Sequence, residues 1–254
     1  QKYEPKVLRS ADAVVCISET LKCEAISRGV NESKITVVTN AVDENMSTES
    51  ENHELFDQVR QQLALGKSTK VVGYIGSLRE MEGVDLTAEA VAQLSSKGHD
   101  VRLFVLSSES GQVELRKHCK KLGLGEKAII AGPVPHDSVA QFYDLIDIFV
   151  VSRPDSRVTR LVTPLKPFEA MMMKKAVIAS KLPALEEIIE HGKTGMLYKA
   201  NDVNSLVETI EEILADEKAI LELGNNAHNW ILANRTWQSV VENYYQAYQT
   251  ASKK

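Results

Sequence analysis

Six short apolar runs, each followed by an amphipathic stretch, constrain the fold of this chain more than any other feature. They lie at residues 70–75 (KVVGYI), 101–106 (VRLFVL), 128–131 (AIIA), 148–151 (IFVV), 176–179 (AVIA) and 195–198 (GMLY). Their apolar character is continuous rather than alternating, as strands covered on both faces require. Residues 85–95, 112–122, 138–145 and 203–215 repeat apolar side chains at spacings of three and four, the period of a helix lying on a core. Strand and helix in alternation predict an α/β fold with a doubly wound parallel sheet over residues 69–254. The stretch 217–249 adds two helical segments, in which Trp230 and Trp237 are expected to anchor packing.

The first 45 residues do not follow that pattern. An apolar run at 13–17, a helix at 19–28 led by Ser18 as N-cap, and a second run at 35–38 make a smaller unit. Two strands and a helix cannot close a core alone, so residues 1–45 read as the remnant of a second domain. Residues 42–52 (VDENMSTESEN) are polar, acidic and aperiodic, and residues 46–68 read as an acidic linker and a helix. A chain that opens on Gln1 with no signal-peptide pattern reads as a piece of something longer. The net charge of −5 argues against general nucleic-acid binding, and no apolar run approaches the roughly 18 residues that span a bilayer. Both point to a soluble, cytoplasmic protein. Cys16, Cys23 and Cys119 are odd in number and lack metal-ligand spacing, so the expectation is reduced structural thiols and no bound metal.

Open parallel sheets bind ligands beyond the carboxyl ends of their strands, so chemistry is sought in the loops there. Gly76-Ser77-Leu78-Arg79 follows the first run, with small residues and one cation but neither dinucleotide-site nor P-loop spacing. A tight strand-to-helix turn explains it equally well. Residues 152–166 carry Arg153, Arg157, Arg160 and Lys166 against one acid, Asp155, which suits a counter-charge for phosphate or a solvated charged loop. Thr163-Pro164-Leu165-Lys166-Pro167 opens the next helix, where free amides and the positive dipole end favour an anion. Glu169 falls in the first turn, either as an ordinary helix-start acid or as an acceptor for ribose or sugar hydroxyls. Met171, Met172 and Met173 read as core filler, and the six histidines show no pairing with a nucleophile.

Several segments then occur in a telling order: residues 11–19 (ADAVVCISE), 34–43 (KITVVTNAVD), 131–136 (AGPVPH), 143–150 (YDLIDIFV) and 166–180 (KPFEAMMMKKAVIAS). In that order they resemble the C-terminal, donor-binding half of the family 4 glycosyltransferases of the GT-B fold, the glycosyl transferases group 1. The first two look like the end of the family's N-terminal acceptor-binding domain and its interdomain stretch, with Ala41 in place of a glycine. The third looks like its base-binding turn, at Pro133 and Val134, and the last like its Glu-Ala-Met signature. Glu169 matches the second glutamate of the family's Glu-x7-Glu motif, which contacts the donor ribose, whereas the first falls at Leu161. The family's phosphate-binding Arg and Lys fall at Ser77 and Glu82, leaving Arg79 and Lys166 as candidate replacements. Lys181-Leu182-Pro183-Ala184 stands where two glycines are usual, and the Thr-Pro-Leu-Lys-Pro loop looks like a branch of the family.

The resemblance implies a Rossmann-like domain binding a nucleoside diphosphate-sugar without cofactor or metal, and sugar transfer with retention of configuration. Its front-face displacement needs no protein nucleophile, only stabilisation of the departing diphosphate. Lys166, Arg79 and Glu169 are then the catalytic residues, with Gly76, Ser77, Pro133, Val134, Arg153, Thr163, Pro164 and Leu165 completing the donor site. A sugar or lipid-linked acceptor is expected mainly on the missing N-terminal domain, with peripheral contact at the inner face of the membrane. The fragment alone is expected to bind nucleotide but to transfer sugar poorly. Two alternatives stay open: an inactive nucleotide-binding or assembly module of the same fold, and a nucleotide-sugar epimerase. The lack of a second His or Glu near Glu169 counts against the epimerase.

Overall fold

The computed structural model describes residues 4–46, 54–66 and 68–252. Within them, β1 (Val14–Cys16) and β2 (Ile35–Val37) form a small parallel sheet. The strands β3 (Lys70–Ile75), β4 (Val101–Leu106), β5 (Ala128–Ala131), β6 (Ile148–Val151), β7 (Ala176–Ser180) and β8 (Met196–Tyr198) form a second. Its order is β5-β4-β3-β6-β7-β8, every pair parallel. The chain winds outwards from β3 to one edge, crosses back to β6 and winds to the other, the doubly wound arrangement predicted. Its strands coincide with the apolar runs, β7 reaching one residue further and β8 starting one later.

The runs are continuous because helices cover both faces. Val72, Leu103, Phe104, Ile148, Phe149, Val150, Val177 and Ile178 are fully buried, and each such side chain contributes about 1.5–3 kcal/mol of burial. A glycine in the middle of β3 looks out of place by strand propensity. A Cβ on Gly73 would lie 2.5 Å from Ile146 Cγ1, so its absence lets the approach to β6 close over β3.

Helices Val84–Ser96, Gln112–Lys121 and Val203–Leu214 follow the 3.6-residue patterning. The helix expected over 138–145 is one α turn, Val139–Phe142, between the 3₁₀ turns His136–Ser138 and Tyr143–Leu145. The tail forms Glu217–Asn234, Trp237–Val240 and Asn243–Ser252, one helix more than expected, because Thr236 and Ser239 make a capping box that restarts the chain. Trp230 packs against the core beneath the Arg235 guanidinium, which stands 4.9 Å from its ring centre. Trp237 corrects the expectation: at 59% exposure it anchors nothing, since the restart at Thr236 turns it to solvent.

The small sheet packs Val14, Cys16, Ala25 and Val30 into a small cluster separate from the main core. The helix Glu19–Ser27 is capped by Ser18, whose Oγ accepts from the Leu21 amide at 3.0 Å. A second cap arrives from the large sheet's side: Glu187 accepts from the amides of Glu19 at 3.1 Å and Thr20 at 2.8 Å. The helix Asn243–Ser252 packs against β2, and the Val42 amide donates to Arg235 O at 2.8 Å. Of the aperiodic stretch 42–52, residues 47–52 lie outside the described residues. Cys16 and Cys119 are buried, and burial raises both thiols, Cys119 to about 11, whereas Cys23 is exposed and plays no part in packing. Among the described residues no helix is long and apolar enough to cross a membrane.

Candidate functional site

The winding reverses between β3 and β6, so the loops leaving those two strands frame the crevice where such sheets bind ligands. They are sewn together. Gly83, at φ 65°, ends the first loop, and a Cβ there would stand 2.0 Å from Ser152 O. The Ser152 hydroxyl donates to Gly83 O at 2.7 Å.

Arg153, expected to face phosphate, is turned inward instead. Only 4% exposed, its guanidinium donates to both Glu82 oxygens, at 2.9 and 3.1 Å, and to Val162 O at 3.0 Å. Glu82 is the residue standing where the resemblance expects a phosphate-binding lysine. The other cations of residues 152–166 are also engaged: Arg157 by Glu24, Arg160 by Asp155 at 2.7 Å, and Lys166 by Glu169. The loop therefore holds no free counter-charge. Its local count of one acid misleads because Glu82, Glu24 and Glu169 arrive from elsewhere in the fold or the next helix. Arg79 is exposed and makes no ion pair among the described residues, leaving it the unengaged cation of the predicted set.

Gly76 and Ser77 leave β3 over Tyr74, whose buried hydroxyl donates to Ser77 O at 3.2 Å. Burial first, then Glu82, raises the Tyr74 hydroxyl above its ordinary range. The turn carrying Pro133 and Val134 is held from behind. The Gln112 side-chain amide donates to Ser107 O at 3.0 Å, Ala131 O at 3.3 Å and Gly132 O at 3.2 Å. Gly132, at φ 99°, approaches Ser107 so closely that a Cβ would lie 2.4 Å from its carbonyl oxygen.

The helix expected to open at Thr163 starts at Lys166 and runs to Met172, with Pro167 in its first turn and Thr163, Pro164 and Leu165 ahead of it. Thr163 and Pro164 are buried, and the Thr163 hydroxyl has no partner among the described residues. Glu169 projects from this first turn. Lys166 Nζ lies 3.0 and 2.8 Å from its two oxygens, and the Tyr143 hydroxyl donates to Oε2 at 2.9 Å. Tyr143 is fully buried against Phe149, with ring centres 5.7 Å apart. Burial and then the Glu169 charge hold its hydroxyl protonated, as its donation to the carboxylate requires.

Glu169 and Lys166 form the floor of a cleft of about 530 Å³, with Leu165 beside them, residues 41–46 as one wall and residues 136–140 as the other. A second hollow of about 560 Å³, lined by Glu24, Asp155, Ser156, Arg157, Arg160 and Leu161, lies where the small sheet's helix meets the loop after β6. Sequence reasoning missed Tyr143, Tyr74, Gln112 and the wall at 41–46; Tyr143 acts on Glu169 across 26 residues and Gln112 on Gly132 across 20, whereas Tyr74 bonds Ser77 only three residues away. Among the described residues no three His, Cys, Asp or Glu side chains gather as a metal site.

Known proteins share this fold. Sucrose-phosphate synthase from Thermosynechococcus elongatus superposes with a TM-score of 0.80 at 23% identity, over 98% of this chain and 60% of that one. The Anabaena protein HepE in complex with UDP-glucose gives 0.77 at 22%, over 100% and 67%. In sequence, the chain is 24% identical over 250 residues to lipopolysaccharide 1,2-N-acetylglucosaminetransferase of Salmonella typhimurium, covering 95% of this chain and 63% of that protein. It is 22% identical over 256 residues to D-inositol 3-phosphate glycosyltransferase of Corynebacterium urealyticum, covering 97% and 58%. The chain thus spans 58–63% of the length of those two relatives. The structural likenesses show a GT-B fold. The model of glycosyl transferases group 1 matches residues 56–230, from the helix before β3 through the Glu169 helix to Trp230, and the chain belongs to that family.

Proposed function

We propose that this chain is the donor-binding half of a retaining glycosyltransferase, holding a nucleoside diphosphate-sugar in the cleft above Glu169. The observation that carries the reading is Glu169 itself, a carboxylate backed by a buried tyrosine at the foot of a cleft open to small molecules. In this reading Glu169 accepts from the ribose, Pro133 and Val134 flank the base, and Gly76 and Ser77 let the backbone approach the diphosphate. Thr163, Pro164 and Leu165 shape the same end. Arg79 and Lys166 neutralise charge growing on the leaving oxygens, which is where a displacement without protein nucleophile gains its rate. Leu161 stands where the family pattern has a carboxylate and lines the neighbouring hollow rather than this cleft, so in this reading the sugar preference differs from the common pattern. HepE is named as binding UDP-glucose, which makes UDP the first nucleotide to try.

Sugar or lipid-linked acceptor is held in this reading by a domain outside the chain, working in the cytoplasm at the inner face of the membrane, and needs neither cofactor nor metal. A second reading, a module that keeps the fold without turnover, is favoured by Glu82 locked to Arg153 where a phosphate-binding cation is expected. Calorimetry with UDP, GDP and ADP separates the two. Binding of one that is lost in Glu169→Ala supports the donor site, and binding of none rejects it. Sugar transfer by the 254-residue chain alone would overturn the division of labour between halves.

A further inference from the structure

Glu169 is engaged in a way that conflicts with its proposed partner. A carboxylate offers about four acceptor positions. Lys166 spans both oxygens at 3.0 and 2.8 Å, and Tyr143 takes Oε2 at 2.9 Å. One position remains, whereas a ribose diol presents two hydroxyl donors. Something must withdraw before both can bind.

Tyr143 cannot, because its ring is fully buried on Phe149. Lys166 can. Its side chain is 34% exposed, it rides on a flexible stem lining the cleft, and its pairing with a partly solvated carboxylate is of the kind that holds a side chain weakly. A diphosphate offers the ammonium more charge than a single carboxylate already shared with a tyrosine.

We infer that Lys166 is a gate on Glu169 that a diphosphate opens. Without a diphosphate the ammonium masks the carboxylate; a diphosphate draws it away, and Glu169 is released to the ribose. Lys166 is then a positioning and specificity residue, one that makes the site discriminate against unphosphorylated nucleosides beyond the phosphate contacts themselves. A nucleoside alone must displace the ammonium unaided. This rests on the cleft being a nucleoside diphosphate site.

The test titrates UDP by calorimetry and uridine by NMR into the wild-type chain and into Lys166→Met, which keeps the stem and removes the charge, with Lys166→Gln as the second variant. GDP and guanosine replace them if the chain prefers that base. The gate requires opposite effects: weaker UDP binding, and uridine binding tighter by roughly two- to fivefold, the weight of an exposed ion pair. Adding Glu169→Gln must abolish the uridine gain. Loss of both affinities together, or uridine binding that is unchanged or undetected in both Lys166 variants, overturns the gate while leaving the site. If the wild-type chain binds no nucleoside diphosphate, the site and the gate fall together.

Discussion

Arg153→Met is the most demanding test of how the two loops are joined. It removes a guanidinium with 5% of its side chain exposed and leaves the Glu82 carboxylate, 12% exposed, without its counter-ion. Two hydrogen bonds to Glu82 and one to Val162 O go with it. Breaking one side of a buried ion pair costs about 3–5 kcal/mol. For a chain of this size each kcal/mol lowers the melting temperature by roughly 2–4 °C, so the variant should melt about 6–20 °C below wild type. The double variant Glu82→Leu, Arg153→Met removes the stranded charge as well. It should recover part of the loss, the remainder being the unpartnered Val162 carbonyl at about 1–3 kcal/mol. Urea unfolding followed by circular dichroism measures both. A single variant within about 1 kcal/mol of wild type, or a double variant no better than the single, would refute the ion pair as the tie between the loops.

Three further outcomes are expected. Gly73→Ala drives a methyl into Ile146 Cγ1 and Cδ1, 2.5 and 2.6 Å from the ideal Cβ position, and should cost about 1–3 kcal/mol; Ile146→Val in the same chain, which removes Cδ1, should return part of it in the same denaturation assay. Gln112→Ala strips a donor from three carbonyls behind the Pro133 turn and should weaken nucleotide binding more than it lowers the melting temperature, with equal loss of neither being the contrary result. Asp100 is held below the ordinary carboxylate range chiefly by the Thr69 hydroxyl, with Arg102 adding and partial burial opposing. That contribution is present above the ordinary carboxylate value and lost as pH falls through the depressed one. The stability deficit of Thr69→Val should therefore shrink below about pH 4, and urea midpoints at pH 7 and pH 3 that show a constant deficit would exclude it.

The large sheet was legible because its information is local. A run such as IFVV can be read as a doubly covered strand without knowing its neighbours, and the helices between obey one period. Of the candidate site, single residues such as Glu169 and the glycines of tight turns could be singled out in the sequence, but not the contacts they make. Nor were the charges legible. Residues 152–166 look basic in the sequence, yet the partners of Arg153 and Arg157 come from 71 and 133 residues away. Trp237 failed for the opposite reason: a large aromatic suggests burial, and a capping box at its doorstep decided otherwise. Tyr143 could have been suspected from its place just before an apolar strand, but its bond to Glu169 spans 26 residues and a change of element.

A helix is ordinarily closed at its amino end by a residue a few positions away. The helix Glu19–Ser27 is also closed by Glu187, 167 residues beyond Thr20. The small sheet's helix is thus tied to the large sheet's side by a carboxylate as well as by Arg157, and residues 41–46, which lead away from that small sheet, line the cleft beside Glu169. Salt screens that carboxylate, so this tie between the small sheet and the large one weakens as ionic strength rises.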